Sequence, residues 1–409
     1  MTATSGAALS RELKILLVLL FLMNLLNYLD RNALSVVAPV MRRDLGLSTV
    51  EYAYAVNAFL LAYAVMYAGS GMLVDRFGYR FSLALFVGAW SLVCGLHAAI
   101  NGLFALVILR FFLGVAEPGG FTGAVKTLAA RFSARQRGLA TGIFTSGSGI
   151  GALLAPPLMV FLSARFGWRN AFLVPALAGL LWVPLWLSST AGGDAAPAPA
   201  ARQRVSFSWF ANRRVLAYVL VRFFGDSSGY FFSFWMPEYL VSAKRFSFTM
   251  VGTLGWIPPC FSDLGAILGG YLSGRLVRLG YEPVLCRKLM MSASALLVLA
   301  GTLLQTSSAA WQVLVALALC TFGVGMWAAN LHALPGDAFD RQMVATVHGL
   351  AGSAGAVGGV LFNTLVGIFA RHNNYPAAFA VVAALQPLGV SALWLWLRRP
   401  SRSTADGIV

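Results

Sequence analysis

LLVLLFLMNLLNYLDRNALSVVAPV, residues 16–40, belongs to an apolar run that begins near Leu13 and is interrupted near its middle by Asp30 and Arg31 side by side. A run of about 20 apolar residues is long enough to cross a bilayer as a helix. Similar runs recur along the 409-residue chain, which is 59% hydrophobic and only 11% charged. The expected fold class is therefore an all-α membrane protein. Twelve transmembrane helices are read near 13–40, 50–73, 81–100, 103–131, 137–163, 169–188, 213–241, 247–273, 284–306, 309–337, 342–371 and 374–397. The first run lacks a short apolar core followed by a small-residue cleavage site, so it is read as a retained first helix.

The net charge of +16 would suggest nucleic acid as a partner in a soluble protein, so the placement of the basic residues decides the matter. With the N-terminus inside, nineteen Lys and Arg residues fall on the cytoplasmic side and seven on the other. This asymmetry follows the positive-inside rule and puts both termini in the cytoplasm. The expected location is the cytoplasmic (inner) membrane of the cell, and the basic excess is topological, with no nucleic-acid partner. Cys94, Cys260, Cys286 and Cys320 lack paired spacing, so neither a disulfide framework nor a metal site is expected. No cofactor is implied. An enzyme is disfavoured, since no nucleophile-elbow, zinc-protease or phosphate-loop motif stands where it could work.

Residues 189–212 are rich in Ala, Pro, Gly and Arg and read as a cytoplasmic linker between six-helix bundles at 1–188 and 213–397, with a tail at 398–409. The halves echo each other. GMLVDRFGYR at 71–80 returns as GYLSGRLVRLG at 270–280, and GSGIGALLAPPL from 147 as GSAGAVGGVLFN from 352. Six-plus-six repetition describes transporters whose halves rock about a central site, and a functional monomer is expected.

Four basic residues remain inside spans: Arg31, Arg110, Lys126 and Arg222. A charge at membrane depth costs at least ~2.5 kcal/mol and is tolerated where it pairs or lines a wet cavity. On the first helix Asn24, Asn27, Tyr28, Arg31 and Ser35 recur at spacings of three and four, forming one polar stripe with Asp30 beside it. On the fourth, Arg110 and Glu117 are seven apart and share a face. Burial favours the neutral form of a carboxyl and a nearby guanidinium the charged form, so such a group can exchange protons near neutral pH. The resulting reading has Asp30 and Glu117 moving protons, Arg31 holding a substrate carboxylate, and Arg110 neutralising an acid. The alternative is a permanent structural salt bridge among these four. Lys126 serves the substrate or a gate, or snorkels toward the inner interface. Arg222 and Asp226, four apart, read as an intrahelical pair. Asp263 is a candidate cavity residue, and His348 is as readily a satisfied polar group.

GMLVDRFGYR resembles the loop signature of the major facilitator superfamily. NYLDRNALSVVAPVMRRDLGLS, the stretch from RFFLGVAEPGG to LLAPPL, and FGWRNAF together resemble its anion:cation symporter family, in particular hexuronate-type sugar-acid transporters. The resemblance implies a proton-coupled importer of a small organic anion working by alternating access in the bilayer. It also implies that Tyr63, Trp235, Trp327 and Asn330 lie near the sugar-acid site, and that Asp75, Arg76 and Arg80 form a conformational latch. FGDSSGY at 224–230, FGVGMWAANLHALPGD at 322–337 and GGFTGA at 119–124 depart from hexuronate members. An exporter of lipid or amphiphilic drug-like compounds is the alternative, and it would call for fewer fixed cations.

Overall fold

The computed structural model describes residues 10–132, 134–190, 212–305, 307, 309–339 and 341–397. Most of the linker, residues 191–211, and the tail at 398–409 lie outside the described residues, as do the side chain of Asp75 and several basic residues of the charge count. The described residues are helical, with no strand. In chain order the helices are α1 (Arg11–Leu45), α2 (Thr49–Leu96), α3 (Leu103–Ala116), α4 (Pro118–Arg131), α5 (Ala134–Phe166), α6 (Asn170–Ser189), α7 (Arg213–Ser242), α8 (Phe248–Leu254), α9 (Ile257–Arg278), α10 (Pro283–Val298), α11 (Ala310–Ala338), α12 (Arg341–Arg371) and α13 (Tyr375–Trp396).

Local chemistry sets the ends of these helices. Gly46 stops α1 in the left-handed conformation at φ 66°, and Ser48 and Glu51 form a reciprocal cap that starts α2 two residues later. Within α2, Gly78 sits at φ 75°, a value that favours glycine, and separates two limbs inside the 71–80 motif. Pro118 opens α4 directly after Glu117, so the carboxyl is carried at the junction of α3 and α4.

Ten helical segments among the described residues are long and apolar enough to cross a membrane. The two other expected spans, 213–241 and 247–273, are helical but do not reach that apolarity. α7 carries Arg213, Arg214, Arg222, Asp226 and Glu238, while the second region is broken between α8 and α9 and carries Asp263. The surface elsewhere is what lipid requires: Phe104, Val65 and Leu296 are 80%, 74% and 70% exposed.

The chain divides into two compact units: Met1–Arg202 with Phe234–Trp256, and Gln203–Ser233 with Ile257–Val409. The C-terminal end of α7 and all of α8 thus belong with the first unit. Named contacts account for this: Arg42 is ion-paired with the buried Glu238, the Tyr52 hydroxyl donates to the carbonyl of Phe234 at 2.7 Å, and Gly252 and Gly255 press on Val160 and Pro156. In this unit α1 packs on α5 and α6, and α2 on α3, α4 and α6. A Cβ at Gly147 or Gly151 would fall 2.5 or 2.6 Å from the carbonyl oxygens of Phe21 and Leu25, so these glycines let α5 lie directly on the backbone of α1. In the second unit α11 packs on α9 and α10, and α13 on α10 and α12.

Candidate functional site

The first unit gathers its charges around α1. Arg31 reaches across to Glu117, 86 residues away, where Nε and Nη2 donate to the same oxygen, Oε2, at 2.9 and 2.7 Å. Two donors on one acceptor leave Oε1 of Glu117 buried and without a hydrogen bond. The guanidinium is also framed by aromatic rings, its Cζ 4.9 Å from the centroid of Tyr63, 5.2 Å from Tyr28 and 5.7 Å from Phe59. Its side chain keeps 19% of its surface, whereas that of Glu117 keeps none. The pair is therefore reachable from the arginine side.

That reachable side is a cavity of about 40 Å³ lined by Asn24, Asn27, Tyr28, Arg31, Tyr63 and Glu117, with Met23, Trp90, Gly120 and Phe121 closing it. It has room for a few waters, and only for a fragment of a sugar acid. Asn24 is committed to the carbonyl of Phe144 through Nδ2 at 2.9 Å, while Nδ2 of Asn27 is buried with no partner. The cavity therefore holds an unspent donor on Asn27, an unspent acceptor on Glu117 and a cation between them. Chemically, a free amide donor and a free carboxylate oxygen can hydrogen-bond hydroxyls, and a guanidinium can pair with a carboxylate.

Asp30 does not join this pair. It is fully buried and accepts a hydrogen bond from Sγ of Cys94 on α2 at 3.3 Å, with its other oxygen unpartnered. Adjacent residues on a helix point about 100° apart, so Arg31 facing the cavity turns Asp30 toward α2. Arg110 is also fully buried. Its Cζ lies 4.7 Å from the centroid of Phe59, and none of its three nitrogens makes a hydrogen bond. The four charges thus form one direct salt bridge, Arg31 to Glu117, flanked by two buried ionisable groups that are not part of it.

The remaining sequence candidates take other positions. Lys126, on α4, donates to the carbonyl of Val74 at 3.1 Å and is not among the residues lining the cavity. Trp235 is fully buried in the first unit, edge-on to Tyr52 with centroids 5.3 Å apart. Trp327 and Asn330 belong to the second unit. The Trp327 indole packs on Gly225 and Gly389 inside an apolar core with Tyr218, Val221 and Leu331. Asn330 is fully buried, donating to the Met326 carbonyl at 2.9 Å and accepting from Arg287 at 3.4 Å. In the 71–80 motif, exposed Arg76 stacks on Phe77 at 5.4 Å, and Arg80 donates to the Leu187 carbonyl at 3.1 Å. Arg222 and Asp226 do form an intrahelical pair, Nε to Oδ2 at 2.7 Å.

Two participants escaped the sequence reading. Cys94 looked like an ordinary buried thiol, and nothing in its spacing announces Asp30 as a partner. His332 hydrogen-bonds Arg222 and faces His348. Its place in the departing stretch WAANLHALPGD was the available signal.

Known proteins agree with this architecture. A hexuronate transporter of Escherichia coli is 28% identical over 403 residues, covering 94% of this chain and 93% of that protein. A galacturonate transporter of Dickeya chrysanthemi is 30% identical over 294 residues, covering 67% and 85% of the two chains. Among solved structures, a nucleoside transporter superposes with a TM-score of 0.76 at 12% identity over 94% of this chain and all of its own. An inward-facing bacterial homologue of the human lysosomal transporter Spinster superposes with 0.73 at 17%, covering 95% of each. At those identities the structures speak for the fold alone. The sequence pattern of the Major Facilitator Superfamily matches residues 20–363, so the chain belongs to that superfamily and is a multi-pass membrane transporter, not an enzyme.

Proposed function

We propose that the protein is a proton-coupled secondary transporter that imports a small organic anion, a hexuronate or aldonate sugar acid, by alternating access. The observation that carries this reading is the Arg31–Glu117 pair at the edge of an aromatic and amide-lined cavity. The names of its hexuronate- and galacturonate-transporting relatives point to the same substrate class. A guanidinium presents paired donors that match a carboxylate. In the state described, those donors are spent on Glu117. A proton taken up by Glu117 removes its charge and releases Arg31 for the substrate carboxylate, while loss of that proton restores the internal pair and expels the anion.

Asp30 supplies the second proton-exchanging acid, held apart from the substrate by its place against Cys94. Arg110, within the same buried region, offsets the charge of an acid when its proton has left. A pH difference of one unit supplies about 1.4 kcal/mol per proton, and 100 mV supplies about 2.3 kcal/mol per net charge moved. A singly charged anion entering with two protons uses both. The reading includes twelve spans, with α7 and the α8–α9 region as the two polar ones, both termini in the cytoplasm, the inner membrane as location and the monomer as the working unit. Tyr28, Tyr63 and Asn27 contact the substrate hydroxyls. Asp75, Arg76 and Arg80 act as the latch.

Uptake by purified protein in liposomes, with and without an inward proton gradient, tests this across glucuronate, galacturonate, galactonate, gluconate, lactate and glutamate. The expected result is gradient-stimulated uptake of at least one sugar acid, with lactate and glutamate excluded. Uptake indifferent to the gradient removes the proton coupling; failure of every sugar acid to enter or compete removes the substrate class.

A further inference from the structure

The second unit holds an ionisable cluster of its own. On α7, Arg222 and Asp226 are bonded one turn apart at 2.7 Å. From α11, His332 places Nδ1 3.3 Å from Nη1 of Arg222. From α12, His348 places Nδ1 3.1 Å from the Tyr218 hydroxyl, and the two imidazole centroids are 5.4 Å apart. Tyr218 and Tyr230, both on α7, stand within electrostatic reach of the guanidinium. Around Arg222 the three helices thus bring five titratable side chains: Asp226, Tyr218 and Tyr230 from α7, His332 from α11 and His348 from α12.

The cluster is seated with little slack and is still reachable. A Cβ at Gly355 would fall 2.2 Å from Oδ2 of Asp226, so the carboxylate rests against the backbone of α12. The side chains of Arg222 and Asp226 keep 9% and 15% of their surface, and His332 is exposed. Protonation chemistry follows from donor counting. A guanidinium has donors only, so the imidazole nitrogen that meets it is an acceptor and carries no proton. With His332 neutral and Asp226 ionised, the cluster sums to zero. A proton arriving from water on the Asp226 carboxylate cancels its charge and leaves Arg222 held by His332 as an unbalanced cation. A carboxylate from outside returns the sum to zero.

We propose that this cluster is a second proton-exchanging anion site: Asp226 takes the proton, Arg222 then takes a carboxylate, and His332 positions the guanidinium throughout. This rests on the proton-coupled anion reading above and extends it to the second unit. Linkage then ties one proton to each carboxylate bound here, and affinity falls tenfold per pH unit once Asp226 is ionised.

The test uses full-length protein in liposomes, with glucuronate and galacturonate as probes, measuring binding against pH and protons taken up per anion with an entrapped pH dye. Asp226→Asn, which mimics the protonated acid, is expected to carry one proton fewer per anion and to lower the slope of log Kd against pH by one. His332→Gln keeps an acceptor, so weaker binding at an unchanged proton count is expected. If Asp226→Asn keeps the wild-type proton count and slope, the second site is overturned while coupling at Glu117 stands. If the wild type binds neither probe, or moves no protons with them, both readings fall together.

Discussion

Two of the arginine–carboxylate pairs in this transporter, Arg31–Glu117 in the first unit and Arg222–Asp226 in the second, are built differently. In the first unit Arg31 and Glu117 come from separate helices 86 residues apart, and the bond exists only while α1 and the α3–α4 junction keep their present distance. In the second, Arg222 and Asp226 lie on successive turns of one helix, so their bond survives any rigid movement of α7. A pair between helices reports and restrains helix position. A pair within a helix stores charge locally, and its own bond does not fix where the neighbouring helices lie. In the proposed mechanism, a proton on Glu117 breaks a bond between helices, whereas a proton on Asp226 breaks one within α7.

The largest effect tests the interhelical pair. Arg31→Ala leaves Glu117 buried and unpaired, at about 2–5 kcal/mol, and sugar-acid uptake in liposomes is expected to fall on the order of 100-fold. Arg222→Ala leaves the less enclosed carboxylate of Asp226 without its guanidinium and is expected to cost roughly tenfold, the lower part of the range for an unsatisfied buried group; equal losses would erase the distinction between the units. Next, Glu117→Gln is expected to retain counterflow exchange of glucuronate between the two sides while losing gradient-driven accumulation, because the bond to Arg31 no longer depends on a proton. Retained accumulation with its full pH dependence would remove Glu117 from the coupling.

Packing predictions are smaller. Gly151→Val drives a branched side chain into the α1 backbone at Leu25, and overpacking of this kind costs about 1–3 kcal/mol. A lower thermal midpoint of the detergent-solubilised protein checks it. Gly274→Val, at a second-unit position with open space around it, should leave the midpoint close to wild type. The smallest effect is expected at the α2 cap, where Ser48→Ala removes the acceptor for the Glu51 amide and costs about 1 kcal/mol by the same measurement.

Much of the architecture was legible because membrane helices announce themselves by length and apolarity. The stripe Asn24, Asn27, Tyr28 and Arg31 follows from helical spacing alone, and in the structure that face lines the cavity. The two Gly-rich echoes were legible as a repeat but not as a mechanism of packing. The structure shows Gly147 and Gly151 under α1, and Gly355 and Gly358 under α7, so each set seats the first helix of its half. The α7 and α8–α9 regions were harder to place, since the charges that make α7 chemically interesting also remove the apolarity by which a span is recognised.

By itself the sequence determined that the chain is built of membrane helices, which residues along one helix share a face, and that Arg31, Arg110, Glu117 and Asp226 are charges inside an apolar chain. Periodicity along one helix is a local property, written into bond geometry and solvent preference. Partnership is not local. That Arg31 bonds Glu117 while Asp30 turns to Cys94, that Trp235 and Trp327 belong to different units, and that His332 meets Arg222 all depend on the rotation and depth of each helix against its neighbours. Those were settled by close packing over many contacts, and only the folded structure contains them.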